Sequence, residues 1–240
     1  MLLPALARAK SAAKDANCLS NLKQLSISHS MYTSDFGRSF EYTANYNLWM
    51  AELFSYQAQV DKIRMCPVAS TPSTRVVPTP GTYVYGAADM MWKWAPSTTN
   101  YQGSYGLNGW LYTGSYSVSD LLGLPDSYKF GSESTIATPA NTPLFADEMW
   151  VDGWPVETQG PSKDLYNGNG DIDMGRYTII RHGGLAPKQG PQNITTSSAL
   201  VGATQMAFYD GHASVRKLTS FWMLNWHAGW TTPATIPAPR

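Results

Sequence analysis

No apolar run in this sequence approaches the roughly 18 residues that a membrane-crossing helix needs. The opening Met1-Leu2-Leu3 is also far too short for a secretion signal. Cysteine is scarce, at two residues, which excludes a disulfide-dense scaffold. Charged residues make up 14% and cancel to a net charge of zero, so the strong basic footprint of a nucleic-acid-binding protein is missing. There is no Gly-x-Ser-x-Gly elbow, no phosphate-binding glycine loop and no His-Glu-x-x-His pair. Those absences remove the usual warrants for a serine hydrolase, a nucleotide-binding enzyme and a zinc protease. We find no internal repeat of useful length, and a non-enzymatic role is the expectation.

Proline and glycine are absent from Ala5 to Tyr32, although the whole chain holds 16 and 20 of them. That stretch is dominated by residues that lose little freedom in a helix, and it predicts one long helix. Cys18, Leu22, Leu25, His29 and Tyr32 fall at steps of four, three, four and three, which places them on one buried face. His29 is then a core histidine. Residues 1 to 16 contain mainly small alanines as their apolar members and are predicted to project from the body. Residues 1 to 40 carry five Lys or Arg against two Asp or Glu, and the remainder carries twelve against fifteen. A basic arm beneath a mildly acidic head fits a position near anionic lipid. Asp35-Phe36-Gly37-Arg38 is a helix stop, with Gly37 suited to the left-handed cap. The chain divides accordingly into a helix over 1–35 and a globular head over 36–240.

The head holds all 9 Trp and 13 of the 14 Tyr. A second helix is predicted over 47–60, burying Leu48, Leu53 and Phe54, followed by a proline-rich loop over 67–80. Strands are predicted at Thr82–Gly86, Thr142–Asp147 and Tyr177–Ile180, with aromatic strands or excursions between 87 and 135. A Gly/Pro/Ser/Thr-rich surface loop covers 183–203. Asp210-Gly211 between two alternating runs, 205–209 and 212–218, predicts a hairpin with a two-residue turn. Trp222, Trp226 and Trp230 at four-residue steps predict a short helix. The expected fold class is α+β, a long N-terminal helix on an antiparallel sheet with loop-rich, aromatic-rich insertions.

Several groups of residues carry chemistry. Asn167, Asn169, Asp171 and Asp173 alternate through a glycine-rich turn, a pattern that can converge on Ca²⁺ if Asp147 or Glu148 joins it; an ordinary polar turn is the alternative. His182 and His212 flank the hairpin and are placed either to share a site with Asp210 or to make structural hydrogen bonds. Trp92, Trp94, Tyr101, Tyr105, Trp110 and Tyr112 are either a glycan-stacking or protein-binding platform or anchors of the core. Cys18 and Cys66 are either two buried free thiols or, if the chain is exported, a bridge between helix and head.

Three stretches together resemble a known family. Leu2-Leu3-Pro4-Ala5-Leu6-Ala7-Arg8-Ala9-Lys10, Cys18-Leu19-Ser20-Asn21-Leu22-Lys23-Gln24-Leu25 and Met31-Tyr32 look like the helix of type II secretion pseudopilin-like proteins of the planctomycete and verrucomicrobial type. Met65-Cys66-Pro67 is similar to that family's Cys-Pro, and His182 with Ala207-Phe208-Tyr209-Asp210-Gly211-His212 to its C-terminal His and Asp-Gly signature. In this chain 27 residues separate His182 from Asp210, a longer spacing that the 183–203 loop accounts for. The resemblance implies a pilin-like fold and an extracytoplasmic, non-enzymatic filament subunit whose partners are copies of itself and other pseudopilins. It also implies an inner-membrane anchor in an apolar segment upstream of Met1, Pro4 and Leu6 in the helix stack, and a higher prior for calcium in a C-terminal loop.

Overall fold

The computed structural model describes residues 3–43, 48–57, 60–70 and 79–240. Helix α1 spans Leu3–Phe36, and the predicted face is the buried one: Cys18, Leu22, Leu25, His29 and Tyr32 all lie in the core. Pro4 falls in the first turn, where a missing N–H costs no helical hydrogen bond; its side chain lies outside the described residues. Gly37, at φ +65°, ends the helix by donating its N–H to Thr33 O at 2.8 Å.

After α1 come α2 (Leu48–Glu52), α3 (Val60–Ile63), β1 (Thr82–Val84), β2 (Trp92–Ala95), β3 (Tyr101–Gly103) and β4 (Tyr105–Asn108). They are followed by α4 (Val118–Leu122), β5 (Pro143–Asp147), β6 (Asp152–Gly153), α5 (Asp173–Tyr177), β7 (Ala203–Phe208) and β8 (Ala213–Lys217). The main sheet has the order β6-β4-β5-β7-β8; only the β4–β6 pair is parallel. A smaller antiparallel sheet, β1-β2-β3, adjoins it, with Ser104 alone separating β3 from β4. Helix α1 lies across β7, with β8 and β5 to its sides. The fold is thus α+β, as expected, and the packed half of α1 belongs to the same hydrophobic core as the sheet.

Several elements differ from the sequence reading. In the 47–60 segment Trp49 and Met50 are buried beside Leu48 and Leu53, whereas Phe54 is half exposed. Asn47 and residues 58–59 lie outside the described residues, as do 71–78 of the proline-rich loop. Tyr177–Ile180 is not a strand: Tyr177 closes α5, and Ile180 donates its N–H to Leu165 O. Its apolar residues are buried by a neighbouring loop instead of a ladder, a context that β propensity does not register. The hairpin turn holds three residues, Tyr209 to Gly211, because Phe208 N–H bonds His212 O, Gly211 N–H returns to Phe208 O, and only Gly211 takes positive φ. The tryptophan-rich tail forms 3₁₀ turns over Leu218–Met223, where the indoles of Trp222, Trp226 and Trp230 donate to carbonyls of Gln159, Phe221 and Trp222.

Candidate functional site at the root of the projecting helix

From Ala5 to Ala13 helix α1 is exposed, and from Ala5 onward its first fully buried side chain is Cys18. A buried polar cluster surrounds that point of entry. Cys18 is disulfide-bonded to Cys66, with Cα atoms 4.9 Å apart. Hydrogen bonds reinforce the join: Asn21 Nδ2 donates to Met65 O (3.0 Å), Tyr105 O–H to Cys18 O (3.2 Å) and Gln205 Nε2 to Asp15 O (2.9 Å).

His182 links the helix to the sheet. Its backbone forms an isolated bridge with Ala203, at the start of β7. Its Nδ1 lies 2.7 Å from Asp15 Oδ1 on α1, and its Nε2 lies 3.2 Å from Asp147 Oδ2 and 3.6 Å from Cys66 Sγ. Arg181 Nη1 donates to Asp147 Oδ1 at 2.9 Å, while its other nitrogens reach the carbonyls of Ala87 and Ala88. Gln205 N–H donates to Asp147 Oδ2 at 2.7 Å. Burial pushes the Asp147 carboxyl up, but the charges of His182 and Arg181 and these hydrogen bonds outweigh it and hold the group below the usual carboxylate range. For His182 burial acts downward, and Asp147 together with Asp15 outweighs it, raising the imidazole above its ordinary value. The arrangement can lock a helix in place and sets a disulfide sulfur beside an imidazole.

The remaining predicted residues are placed elsewhere. His182 does not approach Asp210: it meets β7 at the opposite end, about 20 Å away for a six-residue strand. Asp210 Oδ1 instead holds His212 Nδ1 at 2.7 Å, and Lys23 and Ser26 of α1 donate to Gly211 O, so the Asp-Gly turn docks on the helix. His29 is a core residue with its Nε2 2.9 Å from Ser39 Oγ. In the glycine-rich turn Asn167 Nδ2 donates to Asp164 Oδ2 and Asn169 Oδ1 accepts from Asp171 N–H. Asp173 pairs with Arg176 at 3.3 Å, and Asp171 is exposed. Trp92, Trp94, Tyr101, Tyr105, Trp110 and Tyr112 are all buried, which makes them core anchors with no stacking face.

Asp15 and Arg181 were not singled out in the sequence, and Asp147 only as an extra calcium ligand. One signal was available: an Arg-His pair directly after the apolar Ile179-Ile180 puts two polar side chains where burial is expected. A second cluster, the buried carboxyls of Glu148, Asp152 and Asp173 around Arg176, was seen only in part: Asp173 and Glu148 were paired as candidate calcium ligands, and Asp152 and Arg176 were not singled out. Among the described residues no helix is long and apolar enough to cross a membrane. Comparisons with protein families, with curated proteins and with solved structures find no match to this chain.

Proposed function

We propose that this chain is a non-enzymatic, pilin-like subunit of an extracytoplasmic filament of the type II secretion pseudopilus kind, assembling with copies of itself and with other pseudopilins through α1. The observation that carries this reading is the exposed stretch Ala5–Ala13, a regular helix with no head packed against it. An isolated helix end of this length gains little stability in water by itself, so a use in assembly accounts for its regularity. Its Arg8, Lys10 and Lys14 suit a position close to an anionic membrane surface. The covalent and ionic anchorage at Cys18 and Asp15 then joins this arm rigidly to the head. The glycan-binding alternative loses its support because the six aromatic residues it needs are buried.

The test is negative-stain microscopy of the native, full-length gene product in cells that express the secretion apparatus. It is paired with Ala9→Cys and Ala13→Cys variants for cross-linking between copies. Filaments, with cross-links along the projecting face, are the expected outcome. Absence of both under those conditions would overturn the reading.

A further inference from the structure

We propose that Cys18, Cys66 and His182 form a binding site for a thiophilic metal ion such as Zn²⁺ whenever the Cys18–Cys66 bond is reduced. The same residues would then serve two exclusive states, a disulfide or an ion. The two sulfurs and one imidazole nitrogen lie within 4.8 Å of one another and all three residues are buried. Two thiolates and one imidazole are a donor set that favours Zn²⁺ or Cu⁺ over Ca²⁺ or Mg²⁺. Tetrahedral Zn²⁺ with bonds of about 2.3 Å to sulfur needs sulfurs about 3.8 Å apart, a separation that side-chain rotation alone can supply.

Two features go beyond proximity. Asp15 Oδ1, 2.7 Å from His182 Nδ1, fixes the ring so that Nε2 faces Cys66 Sγ. This is the carboxylate–histidine arrangement by which metal-ligating imidazoles are oriented. Asp147 Oδ2, 3.2 Å from Nε2, already accepts from Gln205 N–H, so the fourth position is left to a water. Charge also matches: a divalent ion with two thiolates is neutral, as the disulfide is, and the imidazolium gives up its Nε2 proton on ligation, so the exchange adds no positive charge to the core. Asp15 is 41% exposed, so the cluster lies one side chain beneath the surface.

A dithiol reductant gives two electrons and two protons to the Cys18–Cys66 bond and itself becomes a disulfide. The incoming M²⁺ then displaces the two thiol protons and the His182 Nε2 proton into solvent and forms two metal–sulfur bonds and one metal–nitrogen bond. Reoxidation by a thiol oxidant releases the ion.

The experiment uses the full chain reduced anaerobically with a phosphine, which leaves as its oxide with oxygen from water, and then desalted. Co²⁺ alone is titrated in. The expected result is a single equivalent bound, with a sulfur-to-cobalt charge-transfer band and the visible bands of tetrahedral Co²⁺, both abolished by Zn²⁺. The oxidised chain should bind none. His182→Gln should weaken binding by about ten-fold or more and alter the visible bands. Near-ultraviolet circular dichroism of the buried tryptophans reports whether the reduced chain keeps its fold. The proposal is overturned if the reduced chain gives no thiolate–cobalt band. It is also overturned if His182→Gln binds with unchanged spectrum and affinity, or if the fold is lost on reduction and Co²⁺ does not restore it.

Discussion

Nδ1 of His182 and Oδ1 of Asp15 stand 2.7 Å apart across 167 positions of sequence. This contact sits at the level where α1 leaves the head, beside the one covalent link between helix and body. Only the His182 side of the pair is buried, so removing Asp15 leaves a buried imidazole without its Nδ1 partner.

The first expectation concerns that covalent link. Closing a loop of 48 residues restricts the unfolded chain by about 4 kcal/mol. The double variant Cys18→Ala/Cys66→Ala should therefore lose about that much in urea denaturation, while reductant should have no further effect on it. A change under 1 kcal/mol would mean that Leu22 and Leu25 hold the helix unaided.

A second expectation is a pH dependence located at Asp152. Burial, with the Asp173 carboxyl, pushes this group up to about 7 from 3.8, against Arg176 and the Tyr112 hydroxyl, which pull it down. A carboxyl raised on folding contributes stability that is fully present below its unfolded value and lost as pH rises through about 7. Asp152→Asn keeps an acceptor for Tyr112 O–H and removes the titration. Its stability relative to the native chain should rise between pH 4 and 8 by on the order of 2–4 kcal/mol, measured by denaturant titration at each pH.

His29 predicts the opposite slope. Burial pulls its imidazole down to about 3, so the folded chain keeps it neutral while the unfolded chain takes up a proton below about 6.5. Its contribution is complete above that value and is lost as pH falls. The stability advantage of the native chain over His29→Gln should shrink by about 2 kcal/mol between pH 6.5 and 5. A constant gap would place His29 in contact with water.

Two glycines should respond very differently to alanine. A Cβ at Gly106 would lie 1.6 Å from Glu148 Oε2 and 2.9 Å from Trp150 O, so Gly106→Ala should cost about 3 kcal/mol or more. At Gly211 the space is open and only the φ of +85° resists, so Gly211→Ala should cost about 1–2 kcal/mol. Thermal melts of both variants check the ranking.

The long helix and the β7–β8 hairpin were legible because their signals are local: a run free of breakers, a three-four spacing, an Asp-Gly between alternating stretches. The sheet order was not, since β4, β5 and β7 are brought together from distant parts of the chain. The six aromatics show the same limit: composition marks them as anchors or as a platform, and only the packing decides. The cluster at the helix root was the least legible part. Asp15, Asp147 and His182 lie on three separate segments, and nothing in the spacing of any one of them points to the other two. Cys18 and Cys66 were readable as a pair only by their number.

The position of the disulfide has a consequence for load. From Ala5 onward Cys18 is the first fully buried residue of α1, so tension on the projecting arm reaches the S–S bond and the Asp15–His182 contact before it reaches Leu22 or Leu25. The helix cannot be peeled off the sheet turn by turn from its free end. With the bond closed, a pull is passed to the segment around Cys66, and through Ser104 to the strand junction behind it. With the bond open, the same pull would act on the hydrogen bonds at the helix root and then, turn by turn, on the apolar face.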